Sequence, residues 1–252
     1  MLNRTHPTPL SLQQANATNY PISMKLIDTT LKKTLLTAAF VLATSALFAQ
    51  SANIQSPSST SIKISALPFN ITAPGTYVLT ANLASPLTTY GLGAINISTP
   101  IAGPVVLDLK GFTLTGNGVY STGVSIGYND TFGNTAPITI RNGTLTNFGY
   151  GVNVFSQGKY TSDITVNNIV FNPSLVVLGN GGCGVRFDGV NSSNVNNCIF
   201  NGAYQAVLDQ GSLGGNSYNN DTFNGVGYAL VLGEGQGSAV LNHCQFSAPP
   251  AN

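Results

Sequence analysis

A six-residue phrase recurs six times between Leu109 and Phe246: apolar, any, Asn-like, any, any, apolar. It runs Leu109 to Leu114, Ile140 to Leu145, Val166 to Phe171, Val195 to Phe200, Tyr218 to Phe223 and Leu241 to Phe246. The closing apolar residues are spaced by 31, 26, 29, 23 and 23 positions. A second short run follows each phrase but the last: Gly123 to Ile126, Gly151 to Val154, Gly184 to Phe187, Gln205 to Leu208 and Tyr228 to Val231. Both runs are rich in β-branched and apolar residues and bounded by Gly and Asn, which predicts strands. No apolar pattern of period 3.6 occurs after the N-terminal segment, so a helical solenoid is excluded. The repeat is shorter than a propeller blade, at roughly 40–50 residues, and lacks the leucine spacing of leucine-rich repeats.

What remains is a coil of short strands, each stacking on its equivalent in the next coil. Core-facing residues must hold register, whereas turns can lengthen outward, as between Gly127 and Thr135 or Leu175 and Gly182. The expected fold class is all-β: a single-stranded right-handed parallel β-helix of about six coils. Ile64 to Leu83, which departs from the repeat, is expected to cap its N-terminal end, because end coils expose an apolar cross-section. No comparable cap follows Phe246, so the expectation is either that the chain is truncated there or that a partner covers the last coil. The third slot of the phrase holds Gly111, Asn142, Asn168, Asn197, Asn220 and His243. Asn tolerates left-handed backbone at a tight corner. Amides stacked about 4.8 Å apart can also bond along the axis. A structural ladder of Asn142, Asn168, Asn197, Asn220 and His243 is therefore expected. On that reading Asn197→Ala costs on the order of 1–3 kcal/mol, as an unsatisfied buried group would.

Charged residues make up only 7% of the chain and hydrophobic ones 42%, with 28 glycines, so polarity is carried by Asn, Ser, Thr and Gly. A disordered chain would combine low hydrophobicity with high net charge. Past residue 52 there are five bases and seven acids, a net charge near −2. Without a basic face to neutralise phosphates, nucleic acid is not an expected partner.

The N-terminus carries a targeting pattern. Lys25, Lys32 and Lys33 precede a largely apolar stretch from Leu35 to Ala49, followed by the small residues Ser51 and Ala52. That order matches a signal peptide, and the stretch falls short of the roughly 20 residues of a membrane span. The expected organisation is a misassigned leader over 1–23, a signal peptide over 24–50, a Ser-rich linker over 51–61 and the β-helix over 62–252. The expected location is secreted, periplasmic or on the surface of a bacterium, with no transmembrane segment after cleavage.

Few residues promise chemistry. If Val185 and Phe187 point inward, Arg186 and Asp188 point outward together. Asp209 is expected near the equivalent edge one coil on, and Glu234 one coil further. Such a column suits a cation such as calcium, or a sugar acid. The alternative is a solvated surface ion pair. Tyr150, Tyr204 and Tyr228 lie in or beside the second strands, where exposed rings can stack on sugars. Tyr is equally ordinary strand material. His243 occupies the ladder slot, where a structural role is expected. Cys198 and Cys244 share one slot two coils apart, beyond the roughly 7 Å limit for a disulfide. They and Cys183 are expected to be free thiols packed as small apolar residues.

The coils, the run from Val106 to Leu114 and the preceding Pro74-Gly75-Thr76-Tyr77-Val78-Leu79 segment resemble the pectate lyase-like superfamily of right-handed parallel β-helix proteins. The resemblance spans about Ile64 to Phe246. It implies a fold shared by polysaccharide lyases, hydrolases, epimerases, adhesins and surface-binding proteins, and it does not choose among them. The paired-acid and basic motifs of the polygalacturonase-like and lyase members are absent, and no catalytic residue is assigned. A non-catalytic carbohydrate or surface-ligand binder is the leading expectation. A diverged polysaccharide lyase or hydrolase and a fragment or module of a larger surface adhesin stand as alternatives.

Overall fold

The computed structural model describes residues 60–87, 92–127, 136–156, 161–174, 182–211, 214–233 and 238–247. The chain divides into Met1–Ser56 and Pro57–Asn252. The first unit, which contains the leader and signal segments, lies outside the described residues.

Pro57–Asn252 is an all-β parallel solenoid of about six turns, built from three columns of stacked strands. The first column passes through Ile62–Ile64, Gly75–Leu79, Val105–Asp108, Asn194–Asn196, Asn216–Asn219 and Ala239–Asn242, with the first halves of Ile138–Phe155 and Ile164–Asn172 between them. The second contains the closing residue of every phrase. Leu114 pairs with Leu145, then Phe171, Phe200, Phe223 and Phe246 follow in order. The third joins Phe69–Ile71, Gly93–Ile97, the ends of the two longest strands, Cys183–Asp188, Gln205–Gln210 and Tyr228–Leu232. Every one of these pairings is parallel.

Alternation explains the columns. In Ile164–Asn172 the inward residues Ile164, Val166, Ile169 and Phe171 are buried, and their neighbours face outward. Phe171, Phe200, Phe223 and Phe246 stack with ring centroids 4.8, 5.1 and 5.1 Å apart and planes within 9° of parallel. These rings also account for glycine in the third column. A Cβ on Gly151 would lie 2.6 Å from the Phe171 ring, and one on Gly184 would lie 2.5 Å from that of Phe200.

The corner between the first two columns is short in every turn, and Asn142, Asn168, Asn197, Asn220 and His243 turn it with φ between 53° and 60°. What unites them is this backbone conformation. Asn168 Nδ2 donates to Asn142 Oδ1 (3.0 Å), which continues to Asp108, but Asn197 Nδ2 donates sideways to Asn167. Asn197, Asn220 and His243 are exposed. Two further amide ladders run beside the corner. Asn242 donates to Asn219 and Asn219 to Asn196, at 2.8 and 2.7 Å. On the second column Ser247 donates to Asn224, Asn224 to Asn201 and Asn201 to Asn172.

The first phrase needs correction. Leu107, not Leu109, pairs with Ile140, while Leu114 keeps its place on Leu145. The corner here has two left-handed residues, Lys110 and Gly111, and Leu109 is an additional buried residue. Its side chain occupies the space beside Gly143, where a Cβ would come within 2.4 Å of Leu109 Cβ. Immediately before Leu109, Asp108 accepts from Lys110 N (2.9 Å), Asn142 Nδ2 (3.2 Å) and Arg141 Nε (3.0 Å). Burial works against its charge, but these partners outweigh it and hold the carboxyl below the usual range. The N-terminal segment forms an abbreviated turn, with Ile62–Ile64 in the first column and Phe69–Ile71 in the third, that seals Ile64 and Ile71 from solvent.

Candidate binding face on the third column

Strand alternation carries one outward row along the third column. Asn70 pairs with Asn96, Asn96 with Ser125, Ser125 with Asn153 and Asn153 with Arg186. Four steps of about 4.8 Å give this row a length of about 19 Å. At its N-terminal end Asn70, Thr72, Leu92, Asn96, Ser98 and Ser125 line a cavity of about 230 Å³. Asn96 is fixed there: its Nδ2 donates to Asn70 Oδ1 at 3.1 Å, and its Oδ1 accepts the Gly93 N–H at 2.8 Å. Asn153, next in the row after Ser125, is 3% exposed and its Oδ1 has no hydrogen-bond partner among the described residues. An orphaned buried acceptor is uncommon and costly.

Arg186 closes the row and faces outward with Asp188, while Val185 and Phe187 are buried. The Arg186 guanidinium lies 5.7 Å from the ring centroids of both Tyr150 and Phe155, and its Nη2 donates to Asp188 Oδ2 at 2.9 Å. Gln210 Nε2 reaches the same oxygen at 3.1 Å. Arg186 is therefore held between two aromatic rings and a carboxylate, an arrangement that fixes its orientation more firmly than a solvated ion pair would. Tyr150 belongs to this cluster. Tyr204 and Tyr228 form a separate exposed pair, edge to face at 5.4 Å.

Asp209 is not at the outer edge. It pairs with Phe187, is 1% exposed, and accepts from Tyr218 Oη (2.8 Å) and Asn216 Nδ2 (3.0 Å). Gln210, one residue on, is the neighbour of Asp188. Alternation from Val207 places Asp209 inward, which was the signal to follow. Burial, reinforced by Asp209, pushes the Tyr218 hydroxyl well above its ordinary value. Glu234 falls outside the described residues.

A second interior acid escaped the sequence reading. Asp221 follows the corner residue, in the slot that holds Cys198 one coil earlier and Cys244 one coil later. It is fully buried; its Oδ1 accepts the Cys198 N–H at 2.8 Å and its Oδ2 has no hydrogen-bond partner among the described residues. Burial pushes its carboxyl up to about 7 against that backbone bond. Cys183, Cys198 and Cys244 are free, and burial pushes the first two thiols up to about 12. Among the described residues no three His, Cys, Asp or Glu side chains are grouped to hold a metal ion. Scans against family models, curated proteins and solved structures each returned no match to this chain.

Proposed function

We propose that this protein is an exported β-helix protein of the pectate lyase-like kind that binds a polysaccharide without cleaving it. Its binding face is the third column. The observation that carries this reading is the cavity lined by Asn70, Thr72, Asn96 and Ser98 at one end of the outward row, with the tightly held Arg186 at the other end; Ser125 and Asn153 between them are buried. Sugar hydroxyls need donors and acceptors at set positions, and the hydrogen-bonded Asn70–Asn96 pair holds such groups at the cavity. Tyr150 and the Tyr204–Tyr228 pair supply rings for the apolar faces of sugars.

The non-catalytic part of the proposal rests on where the acids lie among the described residues. Asp209 and Asp221 are in the core, Asp108 and Asp188 are each held by an arginine, and Asp163 alone of the described acids is exposed. Hydrolysis by paired carboxylates requires two of them facing each other across the bond. The test is retention of the purified protein on a polysaccharide panel, with product release assayed in the same wells. Retention without product is expected, with retention lost in Thr72→Trp, which fills the cavity from an exposed position, and weakened in Tyr228→Ala. Release of unsaturated or reducing-end products would replace this reading with an enzymatic one. Retention unaffected by both Thr72→Trp and Tyr228→Ala would move the site off the third column.

A further inference from the structure

Charge is scarce on this protein, and its placement bears on which sugar polymer the third column can hold. Past residue 52 the chain has five bases, Lys63, Lys110, Arg141, Lys159 and Arg186. Lys110 and Arg141 both pair with Asp108, at 3.7 and 3.0 Å, at the corner between the first two columns. Lys63 lies on the first column, and Lys159 falls outside the described residues. Among the described residues the cation of the third column is therefore Arg186, whose Nη2 is 2.9 Å from Asp188 Oδ2. Its side chain is 15% exposed, between the rings of Tyr150 and Phe155. The Asp209 carboxylate, which could have joined Asp188 in holding a bridging cation, is turned into the core. The cavity at the other end of the row is lined by uncharged groups. Asn70, Thr72 and Ser98 are exposed there, and the Asn96 amide donates to Asn70 Oδ1 and to the Gly93 carbonyl. Leu92, 45% exposed, gives the wall an apolar surface.

On the polysaccharide-binding reading of the third column, we infer that its ligand is a neutral polymer, with hydroxyl groups and without carboxylate or sulfate. Amides and hydroxyls both donate and accept, so they match sugar hydroxyls group for group. A carboxylate brought into the cavity sheds water without meeting a cation, and an unpaired buried charge is far costlier than a buried hydroxyl. At Arg186 an incoming carboxylate has to displace Asp188, which trades one ion pair for another. The net charge near −2 past residue 52 adds repulsion at longer range.

The test is retention of the purified protein on immobilised glucan, mannan and galactan, each beside the same polymer oxidised at C6 to the carboxylate. At least one neutral polymer should be retained, with affinity changing less than about twofold between about 0.01 M and about 1 M NaCl, where the Debye length falls from about 30 to about 3 Å. Its oxidised form should bind about tenfold more weakly at low salt. Ser98→Lys, which sets a cation at the exposed rim of the cavity, should strengthen binding of the oxidised form about tenfold and make it salt-sensitive. An oxidised polymer retained as well as its neutral parent, or neutral retention that high salt abolishes, would overturn the inference and leave the polysaccharide reading standing. A folded Ser98→Lys protein without that gain would overturn it too, because charge would then not be what selects. Retention of none of the six polymers would remove the polysaccharide reading as well. The neutral-against-oxidised and salt comparisons use the unaltered chain and hold even if Ser98→Lys fails to fold.

Discussion

Replacing Asp221 by asparagine should change how stability depends on pH by about 3–4 kcal/mol. The carboxyl sits in the stacked core between two cysteine slots, with one oxygen on the Cys198 N–H and the other without a hydrogen-bond partner among the described residues. Burial raises it from 3.8 to about 7 in the folded chain. Well below pH 3.8 it is neutral in both states and costs nothing. Between 3.8 and 7 the unfolded chain sheds this proton and the folded chain keeps it, so stability falls as pH rises. Above 7 both states are ionised and the loss levels off. At about 1.4 kcal/mol per tenfold change in proton concentration, the interval amounts to about 4 kcal/mol. Asparagine keeps the acceptor for Cys198 and cannot ionise. Urea unfolding of both proteins at pH 4, 5, 6 and 7.5 is the assay, and the difference between them cancels the other titrating groups. Asp221→Asn should gain on the wild type by about 3–4 kcal/mol across that range, with most of the gain complete by pH 7. A gap that stays constant from pH 4 to pH 7.5 would refute the reasoning and place Asp221 in contact with water.

Gly143→Ala drives a methyl group into Leu109 and should cost about 1–3 kcal/mol. Adding Leu109→Ala should recover part of that loss, and strict additivity of the two in urea would mean that the contact is not the cause. At the exposed corner, Asn197→Ala should cost about 1 kcal/mol through its left-handed backbone, whereas Asn197→Gly should match or exceed wild type. Equal losses in the two variants by thermal unfolding would show that the bond to Asn167, rather than backbone conformation, dominates there.

The stack of closing apolar residues was legible in the sequence because a core one side chain deep admits one register. From Leu114 to Phe246 each predicted partner is the observed one. The opening residue of the first phrase misled because Lys110 and Gly111 share a turn that Asn142 makes alone. Counting back from Leu114 therefore lands on Leu109, two residues past the true partner. The Asn slot was recognisable as a corner, since αL backbone is a local preference. Which amide each side chain meets was not, because neighbours on either side of the corner lie within reach, as Asn167 does for Asn197. Asp209 and Asp221 were missed for a common reason. Acids are expected at surfaces, and partners such as Tyr218, Asn216 and the Cys198 backbone, brought in from other strands, make their burial tolerable. The polar row on the third column was likewise hidden, because Asn70, Asn96, Ser125, Asn153 and Arg186 become one feature only when five coils are stacked.

The corner between the first two columns stays short in all turns that have it, while the two remaining sides accept connections of very different length. Ile126 joins Ile138, and Phe155 joins Ile164, yet Asp188 needs only the few residues to Asn194 to make the same passage, and Phe171 and Phe200 leave for the third column by segments of unequal size. Tolerance to inserted sequence is thus built into two edges of the prism and withheld from the third. A foreign peptide grafted beyond Phe155 or Asn172 should leave the stacked rings in place, whereas one placed at Asn197 should break the Phe171–Phe200–Phe223 stack. For a lineage, or an engineer, the fold behaves as a display frame with two writable margins and one bound spine.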